Sequence, residues 1–144
     1  MTTGLFKQSV AGAGLNALVS AIGSNATFNI YDGTTPADTG SALSGNNLLV
    51  SGTIGSFGTA AYNSTSGAMV SQANFSGSGS SGYSPSFGGV ASFARIYTSG
   101  STCVRQVSVG ASGSGAEFIL GNTTIQTGVQ VACNYAVDVP CDAV

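Results

Sequence analysis

The four residues Asp38-Thr39-Gly40-Ser41 are of the types found in an acid–base catalytic loop. In such a site an aspartate faces a second aspartate, and the two share one proton because close like charges cannot both ionise. The residues just before them, Asp32-Gly33 and Pro36, are typical of an ordinary turn. One interpretation makes the chain an enzyme, and the other makes this segment a connection between strands.

The catalytic interpretation is a homodimeric aspartic protease, to which each copy of the chain contributes one Asp38. The segment "FILGN", residues 118–122, is similar to an apolar segment ending in glycine in those enzymes. Their catalytic aspartate directly follows a buried strand, whereas six residues separate Asp38 from the end of the strand pattern "FNIY". Pro36 lies between them and cannot donate to a sheet ladder. The spacing therefore favours a turn.

No other group of reactive side chains has the spacing of a catalytic or metal site. The chain contains no histidine, which excludes a Ser-His-Asp or Cys-His arrangement within it. Its single lysine, Lys7, precedes the predicted sheets. No spacing selects a carboxylate pair for glycoside cleavage, and the Asp-x-Asp-x-Asp pattern of a Ca²⁺ loop is missing. We predict no catalytic, cofactor-binding or metal-binding residues. The acidic residues considered are Asp32, Asp38, Glu117, Asp138 and Asp142.

The three cysteines are Cys103, Cys133 and Cys141. An odd number without Cys-x-x-Cys spacing does not indicate a disulfide framework, and three thiols without histidine make a poor zinc site. We predict reduced cysteines that pack as small hydrophobic side chains.

The composition is unusual in its lack of charge. Only 6% of the 144 residues are charged, whereas Gly, Ser, Thr and Asn together make up 67 of them. With 42% hydrophobic residues and a net charge of −2 the chain is not of the disordered class. A surface of hydroxyls and amides repels its own copies weakly, which favours a protein that is covered by neighbours in an assembly. A secreted protein rich in small residues is the alternative.

The same composition argues against several partners. Three Lys and Arg residues are too few for a nucleic-acid site or an anionic membrane surface. No apolar run reaches the ~20 residues of a membrane-spanning helix. The start "MTTGLFKQSV" lacks the pattern of a secretory signal, so we expect synthesis in the cytoplasm.

The hydrophobic pattern predicts one helix followed by strands. Apolar residues at helical spacing predict a helix over about residues 16–22, with an earlier start as an alternative and an end at Gly23. The residues before it could form an arm. Alternating patterns then predict successive strands, the clearest of which runs from Val129 to Val137. We expect an all-β fold, an antiparallel sandwich or jelly-roll-like barrel with one short N-terminal helix. Its parts are an arm and helix (1–23), a β domain (24–139) and a tail (140–144).

Two further features of the sequence suggest contacts. Residues 74–89, "NFSGSGSSGYSPSFGG", form a low-complexity stretch whose aromatic residues predict a projecting loop that orders against a neighbour, although a merely mobile loop fits equally well. Arg95 and Glu117 lie within strand patterns, which favours positions on an exposed strand face. They could also pair across the sheet, or Arg95 could reach a partner subunit.

The order of these motifs resembles that of small virion proteins of tailed bacteriophages. Members of that group contain an apolar-Ile-Tyr-Asp/Ser-Gly-x-x-Pro-Ala segment, a Leu-Leu strand, a Gly/Ala strand with an arginine and an ending of the type "I..G..V.V". The resemblance covers about residues 26–137, and this chain departs from the group in its Ser/Gly-rich stretch and its cysteines. The matching segments are "FNIYDGTTPAD", "LLVSGTIGSFG", "GVASFARIYTSG", "VRQVSVG", "SGAEFIL" and "TTIQTGVQVACNYAV".

The resemblance implies a structural role in the virion, assembled in the host cytoplasm. We expect a capsid cement or decoration subunit that binds the major capsid protein and copies of itself, as a dimer or trimer, with residues 2–10 and 74–89 as contacts. A tail component is the alternative within this class, and the aspartic protease is the alternative outside it. A third class, a sugar-binding module, would need exposed aromatic residues such as Tyr31, Tyr97 and Tyr135.

Overall fold

The computed structural model describes residues 5–76 and 82–143. Within them one helix, α1 (Gln8–Ile22), precedes ten strands. The strands are β1 (Ala26–Tyr31), β2 (Leu48–Phe57), β3 (Ala61–Asn63), β4 (Ala68–Ser76), β5 (Gly89–Val90), β6 (Phe93–Tyr97), β7 (Cys103–Ala111), β8 (Phe118–Leu120), β9 (Thr124–Ile125) and β10 (Cys133–Pro140).

Seven of these strands form a closed barrel in the order β10-β8-β7-β6-β1-β2-β4, with β4 pairing again with β10. The closing pair joins residues 68–72 to residues 136–140. All neighbours in the barrel are antiparallel except β7 and β8, which are parallel. The strand β3 adds to β4 as a hairpin, and β5 and β9 form a separate ribbon. The predicted all-β class with one N-terminal helix is confirmed, in the form of a barrel.

The helix α1 begins eight residues before the predicted start at residue 16. Its N-cap, Lys7, makes no side-chain capping hydrogen bond, and glycines at positions 12 and 14 weaken the local preference for helix. Tertiary packing outweighs this weakness, because Ala11 and Leu15 are buried against the barrel. The helix ends at Gly23, with φ of 81°, as predicted. Within the described ranges, no helix is both long and apolar enough to cross a membrane.

The strands match the predicted alternation in β1 but differ from it in β6 and at the start of β10. Alternation in β1 is confirmed, since Phe28 and Ile30 are fully buried. In β6, however, four successive residues from Phe93 to Ile96 are buried, because a loop covers the outer face of this strand. The predicted strand from Val129 begins only at residue 133, and Val129 itself is exposed after a turn closed on Gln126.

The barrel interior is filled by an aromatic cluster centred on Phe28. Its ring centroid lies 5.3 Å from that of Phe75, 5.1 Å from Tyr83 and 5.2 Å from Phe118. Phe75 belongs to β4, and Tyr83 is buried and bridged to Val131. A projecting loop that orders against a neighbour and a merely mobile loop were both predicted for residues 74–89, and both are wrong for Phe75 and Tyr83, which pack within their own chain. Residues 77–81 of that stretch lie outside the described residues.

The residues predicted to be a tail are attached to the N-terminal arm. Phe6 and Cys141 form a parallel bridge, and the backbone N–H of Asp142 donates to the carbonyl oxygen of Phe6 at 2.8 Å. Asp138 is exposed but lies within β10, so it is a strand residue and not part of a tail. The two ends of the described chain thus meet beside α1.

Candidate functional site

The carboxylate of Asp38 holds a turn together. It accepts hydrogen bonds from the backbone N–H groups of Gly40 at 2.9 Å and Ser41 at 2.7 Å, and from the Ser41 hydroxyl at 2.9 Å. The Ser41 hydroxyl is the main cause that lowers the pKa of Asp38 below its usual value, followed by the two backbone donors. The turn predicted at Asp38 is confirmed.

Arg95, a residue of β6, attaches this turn to the barrel. Its side chain is 5% exposed, and one Nη donates to the carbonyl oxygens of Asp38 at 3.1 Å and Ser41 at 2.7 Å. The Nε atom donates to Gln106 at 3.0 Å, and the Gln106 amide donates to the carbonyl oxygen of Pro36 at 2.7 Å. The favoured position of Arg95 on an exposed strand face is wrong, and the alternative pairing with Glu117 is not formed, because the buried guanidinium donates to loop carbonyl oxygens.

The other end of the same loop is held by Asp32. Its carboxylate accepts the backbone N–H of Asn47 at 2.6 Å and the side-chain amide of Asn47 at 2.9 Å. These bonds lower the pKa of Asp32, the side-chain bond being the larger cause. Asn46 adds hydrogen bonds to the carbonyl oxygens of Asp32 at 2.7 Å and Thr34 at 3.0 Å. The Asp38 carboxylate is thus occupied by donors of its own turn, and the Asp32 carboxylate by donors of Asn47 at the far end of the loop.

Both lowered pKa values predict how the loop responds to acid. A carboxylate whose pKa is lower in the folded state than the unfolded value of about 3.9 contributes stability above that value, and this contribution is lost as the pH falls through the folded pKa. We expect Asp38→Asn to reduce the change in melting temperature between about pH 5 and pH 2. A pH series of thermal melts checks this, with Asp142→Asn as the control. An unchanged acid dependence in Asp38→Asn would contradict the assignment.

A second charged cluster joins β7 to β10 and was not predicted from the sequence. Arg105 donates to the Tyr135 hydroxyl at 2.7 Å and forms an ion pair with Glu117, which directly precedes β8. Burial is the main cause that raises the pKa of Tyr135 to about 12, so its hydroxyl stays protonated at neutral pH. The arrangement ties three neighbouring strands together. The strand pattern around Arg105 predicted that its side chain lies on one face of a sheet, but it did not predict which residues the side chain contacts.

The tyrosines proposed for sugar binding do not share an open face. Tyr31 is 6% exposed and stacks on Phe93, and Tyr135 is 1% exposed and stacks on Phe118. Tyr97 is partly exposed, and its pKa is raised to about 12, mainly by burial and then by its hydrogen bond with Tyr31. Since the ring faces of two of the three are covered by protein, they do not form a stacking platform for a sugar.

The cysteines fit the prediction of reduced, packed side chains. All three are free, Cys141 is buried, and the other two are partly buried. Burial raises the pKa of Cys133 to about 12 and also raises that of Cys103, so their reactive thiolate forms are disfavoured. In the ranges that the structure describes, no three His, Cys, Asp or Glu side chains come together as metal ligands would.

Among the described residues, seven of the nine large exposed apolar side chains lie in two parts of the chain. The first, which we term the arm–helix surface, consists of Leu5, Phe6, Val10 and Leu18, each at least half exposed. The second, which we term the ribbon patch, consists of Phe87, Val90 and Val129, which lie in the β5–β9 ribbon or close to it in sequence. Leu5, Phe6 and Val10 of the first group lie within the predicted contact 2–10, whereas Leu18 lies outside it. Phe87 lies within the predicted contact 74–89.

A cleft of about 270 Å³ adjoins the arm–helix surface at the C-terminal end of α1. Its wall is mostly apolar, with one arginine and one aspartate. The lining residues are Leu18, Ala21, Ile22, Val104, Arg105, Val137 and Asp138.

Comparison of this chain with protein-family models, with curated proteins and with solved structures gives no significant match.

Proposed function

We propose that this chain is a structural virion protein, a capsid cement or decoration subunit that binds the major capsid protein and stabilises the shell. The observation that carries the proposal is the contrast between its charged and its apolar side chains. Charged groups serve mainly to hold loops and strands of the chain itself, as Arg95, Asp38 and Arg105 do. Large apolar side chains are left on the surface, as in the ribbon patch.

A surface of this kind favours binding to other protein surfaces over catalysis. Exposed apolar side chains favour binding to a partner, because covering them removes apolar area from water. A neutral exterior also lets many copies lie side by side with little repulsion. The order of motifs from residue 26 to residue 137, which resembles that of tailed-phage virion proteins, points to a shell as the surface that is covered.

The ribbon patch is the contact we assign to the shell. Val90 is 62% exposed and Phe87 is 54% exposed, so the double variant Phe87→Ser/Val90→Ser should fold normally. We expect it to bind capsids that lack this chain at least about tenfold more weakly than the unchanged protein, which corresponds to about 1.4 kcal/mol. Co-sedimentation with such capsids measures this. Leu43→Ser, which changes a 38% exposed leucine elsewhere, is the matched control and should bind normally.

Two results would contradict the proposal. Electron microscopy of purified particles could locate the chain at a tail position, which would favour the tail alternative. The unchanged protein could also fail to bind capsids at all. The protease alternative is tested separately with Asp38→Asn. We expect this variant to leave particle assembly intact. If Asp38 were catalytic, the substitution would instead stop the cleavage of virion proteins.

A further inference from the structure

One edge of β10 is paired along only part of its length within the described residues. On this edge residues 133–135 pair with β8, whereas residues 136–140 pair with β4 on the opposite edge. No backbone group of the described ranges pairs with residues 136–140 on the β8 side. A strand edge of this kind accepts a further extended segment, which supplies hydrogen-bond partners for its backbone groups.

The N-terminal arm meets the same edge of β10 at its far end. The backbone N–H of Cys141 donates to Gly67, which precedes β4. Since successive N–H groups of an extended strand point to opposite edges, the N–H of Asp142 points to the β8 side. It donates there to the carbonyl oxygen of Phe6 at 2.8 Å, and Phe6 and Cys141 form a parallel bridge. The arm and β8 thus share this edge, with residues 136–140 between them.

The bridge also sets the register of the segment that precedes it. In a parallel ladder the position numbers of both strands decrease together, so position 5 comes opposite Pro140, position 3 opposite Asp138 and position 2 opposite Val137. Pro140 has no N–H group, so one hydrogen bond of such a ladder is not formed. The segment before Phe6 is therefore directed along the part of the edge that has no partner among the described residues.

The cleft at the C-terminal end of α1 lies where this register leads. Val137 and Asp138 line it from β10, Val104 lines it from β7, and Leu18 lines it from α1. Val104 is 39% exposed and Leu18 is 50% exposed, so an occupant of the cleft removes apolar surface from water. The register comes from backbone bonds and the cleft from the packing of side chains. These two independent observations meet at the same two residues of β10.

We propose that the segment preceding Leu5 binds in this cleft of its own chain, as an added strand parallel to β10. Thr2 and Thr3 would then lie beside Val137 and Asp138. Threonine is favoured in strands, and the Thr3 hydroxyl can donate to the Asp138 carboxylate. This strand would withdraw the first residues of the predicted contact 2–10 from other partners. The inference does not depend on the proposed role in the virion.

Hydrogen exchange of backbone amides, measured by NMR, tests the added strand. In the proposed register the N–H of Asp138 donates to the carbonyl oxygen of position 2, whereas the N–H of Val139 points to β4. We expect the Asp138 amide to exchange at least about tenfold faster in a variant lacking residues 2–4 than in the unchanged chain. The Val139 amide is the matched control and should exchange equally slowly in both. Equal exchange of the Asp138 amide in the two proteins would overturn the inference.

A disulfide tests which positions face each other. Opposite residues of neighbouring strands lie about 5 Å apart, within the range that a disulfide spans. Under mild oxidation Thr3→Cys/Asp138→Cys should form an intrachain disulfide much faster than the control Thr3→Cys/Asn134→Cys. The control differs because residue 134 lies about 13 Å away from residue 138 along β10.

Mass spectrometry detects this disulfide, because trypsin cleaves after Lys7 and Arg105 and separates residues 1–7 from residues 106–144 unless they are joined. Thr3→Cys alone gives the background from the native cysteines. Equal linking of the two double variants would contradict the register. A disulfide between two chains would assign the cleft to the arm of another copy and would also overturn the inference. Neither experiment uses capsids, so its outcome is separate from that of the proposed function.

Discussion

Replacing Phe28 by alanine is expected to lower the free energy of unfolding by about 3–5 kcal/mol, the range for removing a large aromatic side chain from a core. Phe28 has no exposed surface, and its ring contacts three other aromatic rings that come from separate parts of the chain. The cavity would therefore lie at the centre of the barrel, where β1 is held on both sides by paired strands and the walls cannot easily move inwards.

Urea unfolding followed by circular dichroism measures this loss. The protein concentration is kept constant, because self-association would otherwise shift the midpoint. Phe87→Ala is the matched control, since this phenylalanine is 54% exposed and should change stability by no more than about 0.5 kcal/mol. A Phe28→Ala midpoint equal to that of the control would show that the aromatic cluster does not support the fold.

Replacing Arg95 by alanine has the second largest expected effect, a loss of about 2–3 kcal/mol, because buried acceptors lose a charged donor. The carbonyl oxygens of Asp38 and Ser41 would lose their shared partner, and Gln106 would lose the group that orients it towards Pro36. We also expect the loop between β1 and β2 to open more often, because these bonds fasten it to the outside of β6 and β7.

Limited proteolysis together with urea unfolding tests both parts of this prediction. Cleavage within residues 33–45 should become faster in Arg95→Ala, while cleavage elsewhere should change less. Arg95→Lys is the control for charge, since lysine retains the positive charge but not the planar array of donors, and it should restore only part of the stability. If the loop in Arg95→Ala were cleaved no faster than in the unchanged protein, the bonds made by Asp32 and Asp38 would be enough to hold it without the arginine.

Five of the eight charged residues, Asp32, Asp38, Arg95, Arg105 and Glu117, bind groups within the chain. Two of the three basic residues bind groups within the chain, Arg95 on the loop and Arg105 on Tyr135 and Glu117. The lowered pKa values of Asp32 and Asp38 arise from hydrogen bonds with neighbouring donors. With these groups bound within the fold, few charged side chains remain free on the surface of the described residues.

Local patterns in the sequence were enough to predict several elements. The alternation in β1, the end of α1 at Gly23 and the turn at Asp38 all depend on residues within a few positions of one another. The same holds for the free cysteines, since their spacing was enough to argue against a disulfide framework. Such features are encoded by side-chain periodicity and by the conformational preferences of glycine, proline and aspartate.

The pairing of distant segments was decided by the tertiary structure. The barrel closes through residues 68–72 and 136–140, and no local pattern specifies which strand pairs with which. The sequence predicted a projecting loop for the Ser/Gly-rich stretch that contains Tyr83. In the structure Tyr83 packs on Phe28 and fills part of the closely packed barrel interior. Arg95 is buried because a loop distant in sequence folds over it. The sequence by itself determined the local elements of this protein, whereas long-range packing determined which faces remain open to a partner.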